Sequence, residues 1–517
     1  MTFQQFLAEF VPQVKKKSKQ VNQASWILET TGSEDAADLK AELETELKLL
    51  FHDKKIFEKL QSWDQDPTLT DPLLKRKLNI LIRTFKPNLI PEDLLRKITQ
   101  AEAQLSFLYS NFRPQIDGKA VSENEINDIL KKENDVPKRK KAWEASKQIG
   151  KMLAPHILQL VHHRNEAAKS LGYENYFSMQ LELQEVEEKW LFSLFDELAK
   201  NSENAHKQVI EEIGRRSAER FNVSKDELGP WSWSEPFGQE DPLDVKDLDK
   251  LVQGIDMIES VEKFYQTMGI NVEKILKKSD NFERPGKNQH AFCIHIDREG
   301  DVRTLNNVKP TLRWLETLLH ELGHAIYELG YDVNLPWLLK EPPHMITTEA
   351  MALLAGRQAY RPQSLEHLIK DGDPALKNKT EESLRRRQII FSRWVLVMTY
   401  FERELYRNPD QDLNNLWWNT VEKFQKIKCL GSTSGCDWAA KYHMGLAPVY
   451  YFSYLLGELF ASNLETMSPN FASENTGKFL NDKVFKPGNS MHWNELIKYS
   501  TGKILTPDAW LTQFCNR

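Results

Sequence analysis

The sequence predicts a mostly α-helical protein with one small β-sheet. Apolar residues recur at three- and four-residue steps along most of the chain, the spacing that places them on one face of a helix. One short run, residues 290–297, is instead rich in residues that favour strands. Composition shows no seam at which the 517 residues divide into independent domains, so we expect one large or bilobed body.

The first half of the chain is predicted to form successive helices. Four leucines within residues 36–60 share one helical face: Leu39, Leu43, Leu47 and Leu50. Further helices are expected at 73–85, 92–112 and 123–133, followed by two or three long helices within 152–220. Pro87 and Pro91 separate the helices on either side of them, and Pro114 ends the 92–112 helix.

The segment 290–297, HAFCIHID, is the best candidate for a β-hairpin. It meets three residues typical of a turn, Arg298, Glu299 and Gly300, and the chain then continues into a second short run, DVRTL. From residue 308 onwards the helical spacing returns. The sheet is therefore expected between two helical regions.

Charge and hydropathy argue against two classes of partner. There are 69 Lys and Arg against 75 Asp and Glu, and the net charge of -6 argues against a nucleic-acid binder that depends on a broad positive field. The mean hydropathy is -0.57, and no apolar span of membrane length or basic leader is visible, which predicts no membrane contact. We expect a cytoplasmic monomer, or a periplasmic or secreted one if a signal peptide has been removed.

The motif His320-Glu321-Leu322-Gly323-His324 predicts a zinc site. Two histidines four residues apart on a helix project from one face, so both imidazoles can reach a single Zn²⁺. Glu321 is then placed beside the metal, where a carboxylate can take a proton from water. The pattern HExxH also arises by chance, so the surrounding sequence has to support this interpretation.

A catalytic zinc needs a third protein ligand, and Glu349 is the preferred candidate. It follows His324 by 25 residues, in a segment with helical spacing. Gly330 can end the first helix, and Thr347 or Thr348 can cap the second so that Glu349 faces back. His344 is the alternative third ligand, in a loop ahead of that helix. The layout with Glu349 is that of a gluzincin.

Five stretches in this order resemble the peptidyl-dipeptidase A family, which contains angiotensin-converting enzyme. They are QHAFCIHID, HELGH, EAMALLAG, LWWNTVEKF and WAAKYHMGLAPVYYFSY, and the resemblance covers roughly residues 150–465. The wider group includes thimet oligopeptidase and oligoendopeptidase F. The resemblance implies a bilobed, mostly helical, zincin-like fold with a deep central cleft and a small β-sheet near the active site.

The resemblance implies roles for several further residues. His290, Ala291 and Cys293 match an edge strand that binds the main chain of the substrate, which agrees with the predicted hairpin. Lys441 matches a lysine that binds the terminal carboxylate of the substrate. His443 matches a histidine that hydrogen-bonds the scissile carbonyl or the tetrahedral intermediate.

Two tyrosines three residues apart follow this histidine in the family. Tyr451 and Tyr454 have that separation, displaced by one residue relative to His443. By resemblance Tyr451 helps to bind the carboxylate and Tyr454 donates a hydrogen bond to the oxyanion, where one donor can contribute roughly 3 kcal/mol. Tyr450 competes for these roles, and plain aromatic packing at helical spacing is the alternative for all three.

The chain departs from the family pattern at two positions. Ser453 stands where an arginine often binds chloride, which puts chloride activation in doubt. Leu353 stands where an aspartate would orient a zinc-binding histidine. Another carboxylate or a carbonyl must then orient His320, because the second N–H of a ligating imidazole is nearly always bonded.

Together these features predict a peptidase with one Zn²⁺ per chain that hydrolyses short peptides and releases C-terminal dipeptides. The expected organisation is a single catalytic unit of two subdomains that flank a cleft, with residues 1–150 as a helical lid and 151–517 as the zinc-bearing region. An oligoendopeptidase is the alternative within the class. A catalytically inactive, zinc-containing peptide-binding protein is the alternative of another class.

Overall fold

The computed structural model of the protein describes residues 1–243, 246–369, 372–430 and 435–516. Within these ranges helices dominate, and the strands form two two-stranded sheets. This confirms the predicted mostly α-helical class. No helix in the same ranges is both long and apolar enough to cross a membrane.

The first eleven helices occupy the chain up to residue 267. They are α1 Phe3–Thr31, α2 Glu34–Leu50, α3 Lys54–Asp64, α4 Pro72–Phe85, α5 Glu92–Asn111, α6 Glu123–Lys132, α7 Val136–Ser170, α8 Tyr176–Leu183, α9 Glu188–Asn201, α10 Glu203–Phe221 and α11 Met257–Thr267.

The next eleven helices follow in the second half of the chain. They are α12 Glu273–Lys278, α13 Leu312–Leu329, α14 Met345–Arg357, α15 Pro362–Leu368, α16 Pro374–Arg407, α17 Leu413–Gln425, α18 Tyr442–Leu446, α19 Phe452–Met467, α20 Glu474–Leu480, α21 Trp493–Thr501 and α22 Asp508–Phe514.

The helix expected across residues 36–60 is in fact two helices, α2 and α3. The helix is interrupted at Phe51 and His52. The side chain of Asp53 then accepts hydrogen bonds from the backbone N–H groups of Lys55 and Ile56 in the first turn of α3. A free carboxylate at this position satisfies donors that have no partner within the helix. All four leucines of the predicted apolar face lie within α2, so their spacing does not show where α3 begins.

The predicted hairpin is present as strands β3 Phe292–His295 and β4 Val302–Leu305, paired antiparallel with Cys293 opposite Thr304. A second hairpin, β1 Gln115–Ile116 and β2 Lys119–Ala120, is not indicated by the apolar spacing. Its turn is Asp117-Gly118, with both residues at positive φ, the sequence and conformation of a tight two-residue hairpin.

The first of two compact units contains Met1–Leu89, Lys246–Glu381 and Leu456–Ala509. Its helices α1, α3 and α4 bury an apolar cluster rich in phenylalanine, with Phe6, Phe10 and Phe85 among its members. Phe10 lies 5.0 Å from Phe6 and 5.6 Å from Phe85 between ring centroids. Aromatic rings at these separations bury large areas, so the cluster stabilises this end of the unit.

The second compact unit contains Ile90–Val245, Glu382–Leu455 and Trp510–Arg517. Part of its interior is a cluster of residues from α6 and α7, including Ile126, Leu130 and Ala142. Each unit is thus assembled from three separate stretches of the chain. The expected boundary between residues 150 and 151 lies inside α7, so the compact units follow other bounds. The role of residues 1–150 as a lid stays a prediction.

Candidate functional site

Helix α13 carries the two histidines of the HExxH motif within the first unit. The helix begins after Thr311, whose side chain accepts a hydrogen bond from the N–H of Trp314, and it ends at Gly330 as predicted. The rings of His320 and His324 lie 4.9 Å apart between centroids. Both imidazoles therefore point to the same side of one rigid helix.

Helix α14 begins three or four residues earlier than a cap at Thr347 or Thr348 implies. Its cap is His344, whose Nδ1 accepts a hydrogen bond of 2.9 Å from the N–H of Ile346. The expectation that Thr347 or Thr348 would cap this helix is wrong, because the helix already begins at Met345 with His344 as its cap. One ring nitrogen of the alternative third ligand, His344, is therefore engaged in capping.

Glu349 lies with the two histidines. Its Oε2 is 3.8 Å from His320 Nε2 and 4.0 Å from His324 Nε2, and the three ligand atoms all lie within 4.8 Å of one another. Ligands about 2.0 Å from a tetrahedral metal would be about 3.3 Å apart. A shift of less than about 1 Å by each ligand atom would bring the three atoms to that separation. This set of His320, His324 and Glu349, called the metal group below, could hold one metal ion.

Gly323 allows the two helices of the metal group to pack closely. A Cβ atom at this position would lie 2.8 Å from the Cα of Ala352 and 3.1 Å from the carbonyl oxygen of Met351. The obstacle is backbone, which cannot move aside as the end of a flexible side chain can. The glycine inside the motif is therefore required for the approach that brings Glu349 to the histidines.

Both histidines have hydrogen-bond partners that orient their rings. His324 Nδ1 lies 2.7 Å from the hydroxyl of Thr348, and His320 bonds to the backbone carbonyl of Ala352. The carbonyl of Ala352 thus provides the hydrogen-bond acceptor that an aspartate at position 353, where this chain has Leu353, would have provided. Sequence reasoning required such a partner for His320 but did not identify it, because a carbonyl carries no sequence signal.

Burial keeps these imidazoles neutral. It lowers the pKa of His320 to about 4, against the opposing effect of the bond to Ala352. Burial, with the charge of His320, also lowers the pKa of His324 well below its usual value. A neutral imidazole has the lone pair that a metal ligand needs, so the ring environment suits metal binding.

Glu321 is a buried carboxyl next to the metal group. The residue is only 6% exposed. Burial, with the neighbouring charge of Glu349, raises the pKa of Glu321 to about 8. A carboxyl whose pKa lies near neutrality is suited to take up and return a proton.

The three residues predicted to bind the substrate main chain lie at the start of the β3–β4 hairpin. Cys293 lies within β3, whereas His290 and Ala291 precede the strand. Burial, with the charges of Glu328 and Glu321, raises the pKa of the Cys293 thiol well above its usual value, so the thiol is protonated at neutral pH.

A histidine that the sequence did not single out fixes this hairpin to α13. His295 Nδ1 lies 3.1 Å from Glu328 Oε2, and the N–H of Gly300 donates to His295 Nε2. Glu328 is one helical turn after His324. The pair therefore ties the predicted substrate strand to the helix that carries the metal group.

Lys441 in the second unit is held by aromatic rings and one amide. Its ammonium donates a hydrogen bond of 3.1 Å to Gln239 Oε1 and lies 5.1 to 5.9 Å from the ring centroids of Phe237, Trp394 and Tyr451. Glu235 in turn accepts from the N–H of Gln239. Neither Gln239 nor Glu235 was predicted, because both lie about 200 residues before Lys441 in the chain.

His443 and three tyrosines form a continuous set of rings, called the tyrosine cluster below: His443, Tyr450, Tyr451 and Tyr454. Tyr451 lies 4.7 Å from His443 and 5.4 Å from Tyr454, and Tyr450 lies 5.1 Å from Tyr454 between centroids. Burial, with the charge of Lys441, lowers the pKa of His443 to about 4. The second unit thus brings together the predicted carboxylate anchor and all the predicted phenolic donors.

Residues 129–515 match the family model described as Peptidase family M3. The chain belongs to peptidase family M3. Residues 1–210 also match the family model described as Angiotensin-converting enzyme. The two matches confirm the resemblance that the sequence motifs indicated.

Curated relatives of this M3 peptidase chain are distant and longer. It is 23% identical to "Angiotensin-converting enzyme" of Mesocricetus auratus over 93% of the chain and 40% of the relative. It is also 23% identical to the protein of that name in Bos taurus, over 96% of the chain and 42% of the relative. "Angiotensin-converting enzyme-related protein" of Drosophila melanogaster is 22% identical over 55% of the chain and 51% of the relative. The chain thus spans about half or less of the length of these relatives.

Proposed function

We propose that this M3 family member is a zinc-dependent peptidase that hydrolyses peptide bonds in short peptides. The observation that supports it most strongly is the metal group with Glu321 beside it: two neutral imidazoles, one carboxylate and a second buried carboxyl. A site that only bound a metal or a peptide would have no need of this last group. Glu321 therefore favours a hydrolase over a catalytically inactive, zinc-containing binding protein.

The donor set of the metal group fits zinc. Two imidazole nitrogens and one carboxylate oxygen are the ligands of many catalytic zinc sites, and three protein ligands leave one of four positions open. His320, His324 and Glu349 would hold one Zn²⁺ per chain. Thr348 and the carbonyl of Ala352 would fix the rings of the two histidines in the required orientation.

Bound zinc would supply a Lewis acid that makes water more acidic and polarises the scissile carbonyl. The chain supplies the proton transfers. The positive charge of a bound Zn²⁺ would lower the pKa of the Glu321 carboxyl, so this residue would begin the reaction ionised. Glu321 takes a proton from the attacking water and passes a proton to the nitrogen of the leaving amine.

The β3 strand is proposed to bind the main chain of the substrate. Strand β3 pairs with β4 on one side in the two-stranded sheet, and an extended peptide can add to the edge of such a strand. His290, Ala291 and Cys293 would contribute backbone hydrogen-bonding groups there. Main-chain recognition of this kind suits a peptidase that accepts many sequences.

In the second unit, the proposed roles are to bind the carboxyl end of the substrate and to stabilise the oxyanion. Lys441 and Tyr451 bind the terminal carboxylate, and His443 and Tyr454 donate hydrogen bonds to the developing oxyanion. The grouping of Lys441 with the tyrosine cluster supports this assignment. An anchor for the free carboxylate makes the enzyme a peptidyl-dipeptidase that releases C-terminal dipeptides.

An oligoendopeptidase is the second candidate, and the match of residues 129–515 to Peptidase family M3 favours it. Such an enzyme would cleave within short peptides without a free C-terminus. The difference concerns only the proposed carboxylate anchors, Lys441 and Tyr451, because the metal group, Glu321 and the oxyanion donors serve both reactions.

Cleavage of one short peptide in acid and amide forms separates the two candidates. The products are mapped by mass spectrometry, and the zinc content of the purified protein is measured in the same preparation. A peptidyl-dipeptidase releases a C-terminal dipeptide from the acid and cleaves the amide poorly. Equal cleavage of both forms would exclude the peptidyl-dipeptidase and leave the oligoendopeptidase. No cleavage of either form by zinc-loaded protein would exclude both.

A further inference from the structure

Val449, directly before the three tyrosines of the tyrosine cluster, has an unusual backbone conformation. Its φ is 53°, in the left-handed region, and its side chain is 1% exposed. A β-branched residue in this region is a genuine outlier, because its Cβ approaches the backbone too closely. Such strain persists only where surrounding contacts determine the conformation.

Two side chains of the second unit supply those contacts. Glu402 Oε1 accepts a hydrogen bond of 2.7 Å from the N–H of Val449, and Gln184 Nε2 donates one of 3.2 Å to its carbonyl oxygen. Glu402 lies on α16 and is 4% exposed, whereas Gln184 directly follows α8. Both polar groups of the Val449 backbone are thus bound by elements distant in the chain.

The conformation of Val449 determines where the following tyrosines point. Tyr451 comes two residues later, and its ring lies 4.7 Å from His443 and 5.9 Å from the ammonium of Lys441. Tyr454 follows in the first turn of α19. If Val449 relaxed to negative φ, the chain would leave in another direction and these ring contacts would be lost.

We infer that Glu402 and Gln184 are positioning residues that hold Val449 in the left-handed conformation and so place Tyr451 and Tyr454 for their reaction. The inference rests on the proposed function, since it assumes that these tyrosines act on the substrate. Neither Glu402 nor Gln184 needs to touch the substrate for this role. Loss of either bond should affect catalysis through the tyrosine cluster.

Three variants at two positions test the inference. Glu402→Leu removes the acceptor and should lower kcat/KM per folded enzyme by about tenfold or more, because the buried N–H of the strained Val449 loses its partner. Glu402→Gln keeps an acceptor oxygen and should retain activity within about threefold of wild type. Val449→Gly added to Glu402→Leu should restore most of the lost activity, because glycine adopts positive φ without steric cost.

Leu130→Ala is the control for a general loss of stability. Leu130 is fully buried in the α6–α7 cluster of the same unit and has no part in the tyrosine cluster. Activity is normalised to the folded fraction measured by circular dichroism. Leu130→Ala should keep the activity of wild type per folded molecule.

Two outcomes would overturn the inference. In the first, Glu402→Leu keeps wild-type activity per folded molecule. In the second, Val449→Gly added to Glu402→Leu fails to restore the lost activity, which would assign to Glu402 a structural role only. Wild-type enzyme that shows no peptide hydrolysis would instead overturn the proposed function, so the two failures are distinguishable.

Discussion

The metal group of the first unit and the tyrosine cluster of the second unit are built in different ways. The metal group uses two histidines four residues apart on α13 and a glutamate 25 residues later on α14. The tyrosine cluster uses neighbouring tyrosines whose directions depend on Val449, and its closest support comes from Gln184 and Glu402. Helical spacing determines the first arrangement, and long-range side-chain contacts determine the second.

This difference predicts which of the two groups tolerates substitution. Close helix packing through Gly323 leaves the metal group little freedom, so we expect single substitutions there to abolish metal binding or proton transfer. The tyrosine cluster is held by individual hydrogen bonds and ring contacts. Substitutions there should alter rate and specificity while metal binding stays intact.

Glu321→Gln should have the largest effect. The amide cannot take a proton from water, and we expect kcat to fall by about 10³-fold or more, near the upper part of the range for general-base catalysis. Zinc content should remain that of wild type, because Glu321 is not a member of the metal group. Glu316→Gln, on the same helix, is the matched control and should keep near-normal activity. Full peptide hydrolysis by Glu321→Gln would remove the proposed mechanism.

Tyr454→Phe should have the next largest effect. Removal of one donor to an oxyanion typically costs about 10²-fold in kcat, with a smaller change in KM. Tyr450→Phe is the comparison, since its ring lies in the same cluster and its hydroxyl competes for the same role. Steady-state kinetics on one peptide separates the two tyrosines. A larger loss in Tyr450→Phe than in Tyr454→Phe would reverse the assignment.

Thr348→Val should weaken zinc binding by about tenfold or more, because it removes the hydroxyl that orients His324. Zinc affinity is measured by competition with a chelator of known affinity. Thr347→Val is the control: its hydroxyl donates to the carbonyl of His344 and does not contact the metal group. Equal zinc affinities for the two variants would show that the bond to Thr348 does not orient the ligand.

The smallest expected effect is that of Glu402→Gln on the pH dependence of the free energy of unfolding. Burial raises the pKa of Glu402 to about 8, against the opposing effects of the Val449 N–H and Arg164. The folded chain then holds a proton that the unfolded chain releases near the ordinary glutamate pKa of 4.5, so this residue lowers stability as pH rises from about 5 to 8.

The variant lacks this titration, so its urea midpoint should rise relative to that of wild type between about pH 5 and about pH 8.5. An unchanged difference between the two midpoints across this pH range would contradict the buried, protonated state of Glu402. The measurement is independent of activity, and it therefore tests the surroundings of Glu402 even without a substrate.

The sequence predicted the helical class, the β3–β4 hairpin and the residues of the metal group, because these depend on spacing within short segments. It could not predict Ala352 or Gln239 as partners, since a backbone carbonyl and a distant amide leave no local pattern. The cap at His344 was missed because histidine is an uncommon cap. Two subdomains were expected, but the bounds of the two units could not be predicted, because each unit combines three separate stretches of the chain.

Zinc titration of chelator-treated protein tests whether the metal group holds a catalytic zinc. Bound zinc and peptide hydrolysis are measured on the same samples, for wild type and for Glu349→Ala. We predict that activity returns in proportion to bound zinc and reaches its limit at one Zn²⁺ per chain, and that Glu349→Ala neither binds zinc tightly nor recovers activity. Peptide hydrolysis that persists after complete removal of the metal, or normal zinc binding by Glu349→Ala, would contradict a catalytic zinc bound by the metal group.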